Sequence, residues 1–215
     1  MKYPTELTGQ EIAGIYIHEP SAMLSNIAIV VTCSILVIKH RSAIGQGKNW
    51  RSFILCLGLA ASGGSLTHGL PTYLGPELYF LVWWVKNSFV LIANYFATLA
   101  IFSFTDLPNK TVKWAALAKA SIGIILLYAT FNFLPAAIDL AITYVSILVI
   151  TWKRSDHETS RLLKIGFLIA LFSGVFYLIP FSTLHGWFTN KDAVHVFAIL
   201  SLVYISGAIS SLENE

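Results

Sequence analysis

Seven stretches of nearly continuous apolar sequence, separated by short polar loops, set the pattern of this chain. They predict helices at 20–38, 51–70, 77–104, 112–130, 134–152, 162–181 and 191–211. At 1.5 Å per residue each is long enough to cross about 30 Å of hydrocarbon. The third has length to spare, so it tilts or protrudes. A few polar residues are stranded in this apolar sequence: Glu19, Asn26, Ser65, His68, Glu77, Lys86, Asn87, Asp139, Asp192 and His195. Charge inside hydrocarbon is costly, so such residues mark a site, a relay or an internal ion pair.

Composition narrows the class. The 215 residues are 56% hydrophobic and 12% charged, with a mean hydropathy of +0.70. A soluble domain carries about 25% charged residues, which excludes a soluble enzyme with a large core. The expectation is an all-α membrane protein, a seven-transmembrane helix bundle forming one domain over residues 1–215. The formal charge of +3 does not point to nucleic acid, because the basic residues sit in loops between apolar runs. Cys33 and Cys56 fall inside predicted helices, where cysteine is a small buried apolar residue and not half of a disulfide. No basic segment followed by an apolar run opens the chain, so no cleavable signal peptide is expected.

The lysines and arginines orient the bundle. Lys39, Arg41, Lys48 and Arg51 lie in or beside the first loop, Lys110, Lys113 and Lys119 around the third, and Lys153, Arg154, Arg161 and Lys164 around the fifth. Of the 14 basic residues only Lys2, Lys86 and Lys191 fall elsewhere. The positive-inside rule then puts the amino terminus outside and the carboxyl terminus in the cytoplasm, in a plasma or bacterial inner membrane. Trp50, Trp114 and Trp152 fall at the cytoplasmic ends, as an aromatic belt would. Glu19, Glu77, Asp139, Asp192 and His195 begin the odd-numbered helices and His68 ends the second, so the polar residues gather in the outer half. Lys86 lies deepest, about 13 Å beyond Glu77 along the helix axis.

Three strings carry candidate chemistry. Glu19-Pro20 begins the first helix, where Pro suits the first turn and a carboxylate can satisfy free backbone donors; Ser25 and Asn26 follow two turns in. In Ser65-Leu-Thr-His68 the hydroxyl and the imidazole share a helix face, and a hydroxyl there can orient the ring or hold a metal-bound water. In Asp192-Ala-Val-His195 a carboxylate and an imidazole one turn apart can ligate one metal, although Asp192 also suits a helix cap. Gly58 with Ser62, and Ala60 with Gly64, give the second helix the small-residue spacing that lets a neighbour approach closely. Lys86 needs a carboxylate partner, with Asp139 or Asp192 at a suitable depth.

These strings resemble the superfamily of seven-helix membrane hydrolases that includes alkaline ceramidases and the adiponectin and progestin receptors. Ceramidases follow an acidic residue in the first helix with a Ser-Asn pair, as Glu19 is followed by Ser25-Asn26. The superfamily's second helix carries a serine and a histidine, matched approximately by Ser65 and His68. Its seventh helix carries paired histidines, and His195-Val-Phe-Ala-Ile-Leu resembles the second half of that motif. Serine and histidine are three apart here instead of four, Lys191 stands at the first histidine of the seventh helix, and Glu77 is the nearest match to an aspartate early in the third.

The resemblance implies a zinc-dependent hydrolase cleaving an amide or ester bond of a membrane lipid or lipid-derived substrate. His68 and His195 would ligate the metal, with Asp192 or His185 as third ligand, while Ser65 and Glu77 serve catalysis; Lys86, which the resemblance does not cover, is read from its position as a further catalytic residue or as half of an internal ion pair. Glu19, Asn26 and Asp139 would form the supporting polar network. The alternatives are a catalytically silent relative acting as a sensor or structural protein, and a small proton or solute transporter.

Overall fold

A computed structural model describes residues 9–154, 157–178 and 189–214. These residues form seven helices: α1 (Pro20–Lys39), α2 (Gly45–Gly69), α3 (Pro71–Phe102), α4 (Asn109–Thr130), α5 (Leu134–Trp152), α6 (Glu158–Leu178) and α7 (Asn190–Asn214). Five of them, α1, α3, α4, α5 and α7, are long and apolar enough to cross a membrane. α2 begins with the polar residues Gln46, Lys48, Asn49 and Arg51, and α6 with Glu158, Arg161 and Lys164.

The surface and interior are inverted relative to a soluble protein. Leu24, Ile27, Val31, Ile35 and Ile38 form an exposed stripe along α1, as do Ile138, Ile142, Val145 and Val149 along α5. Meanwhile Asn26, Asn87, Asn94, Asp139, Thr143, Asp192, Ser201 and Ser206 are buried. Apolar stripes at helical spacing facing outward, with polar groups facing inward, fit a lipid surround. Cys33 and Cys56 are both free and buried, as expected from sequence.

The packing order explains where the functional side chains meet. α2 is sandwiched between α1 and α3, α7 lies against α1, α2 and α6, and α4 and α5 complete the far side against α3. Small residues set the closest approaches. A Cβ on Gly58 would lie 2.9 Å from Cys33 Cβ, and one on Gly63 would lie 2.6 Å from Lys86 Cβ. Large side chains fill the opposite end, where Trp50, Phe53 and Phe167 pack ring against ring at centroid distances of 5.7–6.0 Å. Trp50 is therefore core and not part of an interfacial belt, whereas Trp114 and Trp152 are exposed as a belt requires.

Two local features lay outside the periodicity argument. Gln10–Ile12 and Ile15–Ile17 pair as a hairpin, β1 and β2, closed by Ala13 and Gly14 at positive φ of 51° and 79°. Positive φ at both turn residues is the geometry that matches strand twist. Beyond it, the backbone N–H groups of His18 and Glu19 donate to the carbonyls of Gly69 and His68, tying the entry to α1 onto the end of α2. In α3 the first turn is set off by Gly75 at φ 67°, ψ 169°, immediately before Pro76. That break explains why the apolar pattern places the helix start at 77 while helical structure already begins at Pro71.

Candidate functional site

The ends of α1, α2 and α7 converge, and two linked hydrogen-bonded groups occupy the junction. In the first, Glu19 is the hub. Its Oε2 accepts from His68 Nδ1 at 2.5 Å and its Oε1 accepts from Lys191 Nζ at 2.7 Å. Glu19 is the residue before α1, but its side chain makes no capping bond to the helix backbone, contrary to the sequence expectation. Burial works to raise its pKa, but the hydrogen bonds from His68 and Lys191 and their charges outweigh burial and hold it at about 2, below the usual 4.5. Glu19 is thus ionised, and an ionised carboxylate can only accept, so His68 Nδ1 is the donor. The lone pair of neutral His68 is left on Nε2.

The second group centres on Ser25. Its Oγ lies 2.7 Å from His195 Nδ1 and 3.0 Å from Asp192 Oδ1. Asp192 Oδ2 accepts from both the backbone N–H and the hydroxyl of Thr189, at 2.7 and 2.8 Å. Thr189 and Asp192 stand in capping-box spacing at the start of α7, which is why this carboxylate turns toward the helix end. The single Ser25 hydrogen is shared between two groups that can only accept, Asp192 Oδ1 and the Ala22 carbonyl at 3.2 Å, so His195 Nδ1 donates to Ser25. His195 then also keeps its lone pair on Nε2. The two imidazoles lie within electrostatic range of each other and of Lys86 and Lys191.

Several expected participants lie elsewhere. Ser65 donates to the Ala61 carbonyl of its own helix at 3.1 Å, so Ser25 and not Ser65 supplies the hydroxyl beside a histidine. Glu77 is exposed in the turn after the Gly75 break and outside the cluster. Asn26 donates to the Ala22 carbonyl at 2.7 Å, and its amide fills the space left by the missing side chain of Gly64. Lys86 does approach the cluster, but its Nζ donates to Thr67 Oγ1 at 2.9 Å and not to a carboxylate.

Asp139, the expected partner of Lys86, belongs to a different network. Its Oδ1 pairs with Lys119 Nζ at 2.7 Å, and its Oδ2 accepts from Asn94 Nδ2 at 2.6 Å. Lys119 also donates to Thr143 Oγ1 at 2.6 Å, beside a cavity of about 240 Å³ between α3, α4 and α5. A third polar group joins α1 to α7 at the other end of the bundle. There His40, fully buried, lies 2.8 Å from Ser206 Oγ through Nε2 and 3.2 Å from Glu213 Oε2 through Nδ1. Sequence reasoning passed over His40 because it sits among loop basic residues.

A zinc ion can be tested against these donors. Two imidazoles with Nδ1 anchored and Nε2 free are arranged as metal-binding histidines are. The rest of the set does not fit. Asp192 has both oxygens committed, and Lys86 and Lys191 bring positive charge to the same place. Among the described residues no three His, Cys, Asp or Glu side chains converge on a metal position. His185, the other expected third ligand, lies outside the described residues. Residues 21–214 match the model of a protein family described as a family of unknown function (DUF6962). No curated protein and no solved structure matches the chain.

Proposed function

The chain belongs to the DUF6962 family, and we propose that it is a seven-span membrane hydrolase acting on an amide or ester bond of a lipid. In this reading the amino terminus lies outside and the carboxyl terminus in the cytoplasm, so the Glu19–His68 cluster sits in the outer half of the bundle. The basic residues of the odd-numbered loops support that orientation. A cysteine placed beside Lys48 is then expected to resist impermeant reagents applied outside intact cells; ready labelling there would reverse the topology.

One observation carries the chemistry: the contact between the Glu19 carboxylate and His68 Nδ1. A carboxylate on Nδ1 fixes the tautomer and stabilises the imidazolium that forms when Nε2 takes a proton. Water would donate one hydrogen to His68 Nε2 and the other to His195 Nε2, turning its lone pair toward the substrate carbonyl. As the water oxygen bonds to carbon, His68 takes the proton and the carbonyl becomes an oxyanion in the positive field of Lys86 and Lys191. The carbon–nitrogen or carbon–oxygen bond then breaks as the imidazolium returns its proton to the leaving group. The products are a carboxylic acid and an amine or alcohol. Ser25 is a positioning residue, holding His195 through Nδ1. The zinc that the ceramidase resemblance implies has no role in these steps, because the described donors do not fit it.

The ion pair between Lys191 and Glu19 favours a second reading, in which the superfamily bundle keeps a ligand site but has lost turnover. Release of fatty acid from a panel of lipid amides and esters by the purified protein separates the two. The hydrolase reading expects release by the native protein and its loss in both His68→Ala and His195→Ala. No release from any lipid, or release that survives both substitutions, would overturn it.

A further inference from the structure

Lys86 is held in place and left with spare donors. The base of its side chain lies against Gly63, where any larger residue would collide with it, and the ammonium is held by Thr67 of the same helix. An ammonium has three donors, and Thr67 Oγ1 accepts one of them. Among the described residues no carboxylate lies within ion-pairing distance of Lys86. Glu19 is the carboxylate whose charge acts on Lys86, and its two oxygens are already engaged by His68 and Lys191. Asp192 is occupied by Thr189 and Ser25, and Asp139 by Lys119 and Asn94. At the meeting point of α1, α2, α3 and α7 the charges that act on Lys86 are Lys191 and Glu19; the second carboxylate, Asp192, stands beside His195, so on the Lys86 side two lysines face one carboxylate.

An ammonium without an ion-pair partner inside a membrane bundle calls for an anion to offset it. We infer that the Lys86 side of this cluster receives the anionic head, phosphate or carboxylate, of an amphiphile whose apolar part lies among the helices. The inference rests on the cluster being the substrate site proposed above, and it names the substrate class: anionic lipids in preference to neutral or zwitterionic ones. Lys86 contacts the charged group and Lys191 adds to its field, while His68 and His195 face the bond to be cleaved.

Binding can be measured without turnover by using ether-linked lipids, which contain no bond for a hydrolase to cut. The probes are an ether-linked lysophosphatidate, the matching lysophosphatidylcholine, and inorganic phosphate alone. The native protein in detergent is expected to bind the lysophosphatidate at least tenfold more tightly than the lysophosphatidylcholine, with a preference that weakens as salt rises. Lys86→Met is expected to remove that preference and Lys86→Arg to retain it, so a folding failure of the first variant leaves the second and the salt dependence as tests. Equal binding of the two lysolipids, or an unchanged preference in Lys86→Met, would overturn the anion site. Inorganic phosphate binding as tightly as the lysophosphatidate would overturn the assignment to an amphiphile. Selective binding without any lipid hydrolysis would overturn the hydrolase reading and leave the anion site standing; hydrolysis without selective binding would do the reverse.

Discussion

The carboxylate of Glu19, at the entry to α1, lies 2.5 Å from Nδ1 of His68, at the exit of α2. The backbone enforces this meeting, because Glu19 N–H also donates to the His68 carbonyl at 3.0 Å. Side chain and main chain thus lock two helix ends together around one imidazole. Glu19→Gln preserves the shape but cannot stabilise an imidazolium, so hydrolysis is expected to fall by roughly 10²- to 10⁴-fold. Steady-state rates on any accepted lipid check this; an unchanged rate would remove Glu19 from the mechanism.

The same residue sets an acid limit on stability. Burial opposes ionisation of Glu19, but the bonds and charges of His68 and Lys191 prevail and hold its pKa at about 2, against an ordinary 4.5. A carboxyl depressed in the folded state contributes in full above the unfolded value and loses that contribution as pH falls through the folded one. The stability advantage of the native protein over Glu19→Gln is therefore expected above about pH 4.5 and to shrink between there and about pH 2. Thermal unfolding in detergent across that range measures it, and a difference that does not change with pH would contradict the assignment.

Lys119 and Asp139 form a second test, independent of function. Asp139 is buried and pairs with Lys119 at 2.7 Å. Lys119→Met leaves that carboxylate buried without its counter-charge, and removing one partner of a buried pair costs about 3–5 kcal/mol. The double variant Lys119→Met, Asp139→Leu is expected to recover most of the loss. A neutral Lys119→Met in unfolding measurements would show that the pair is not closed in the folded protein.

At Gly64 the argument is steric. A Cβ there would overlap the amide of Asn26 on the neighbouring helix. Overpacking of this kind costs about 1–3 kcal/mol. Gly64→Ala is expected to destabilise the bundle by that amount, and Asn26→Ala in the same chain to relieve it. Full stability of Gly64→Ala alone would mean that α1 and α2 do not approach as closely as described.

Periodicity carried most of the architecture. The expected helices at 20–38 and 134–152 differ from α1 and α5 by at most one residue, because long apolar runs ended by polar loops leave little choice of boundary. Pairing across helices was not legible in the same way. Lys86 and Asp139 look matched by depth, but depth does not say which face a residue presents or which helices are neighbours. Asp139 lies on α5 against α4, where Lys119 waits; Lys119 itself reads from sequence as one more cytoplasmic basic residue. Ser25 shows the reverse case. It lies in a string marked by the Ser-Asn resemblance, but its contact with His195 exists only because α1 packs against α7. The hairpin at residues 10–17 was missed because three-residue strands carry too few positions to show alternation.

The most direct test is hydrolysis of a lipid amide or ester by the purified protein after metal chelation, alongside His68→Ala under the same conditions. A general base held by Glu19, without a metal step, predicts that the chelated native protein keeps its rate and that His68→Ala loses roughly 10²-fold or more. Loss of activity on chelation with recovery on added zinc would contradict this account, and so would an undiminished rate in His68→Ala.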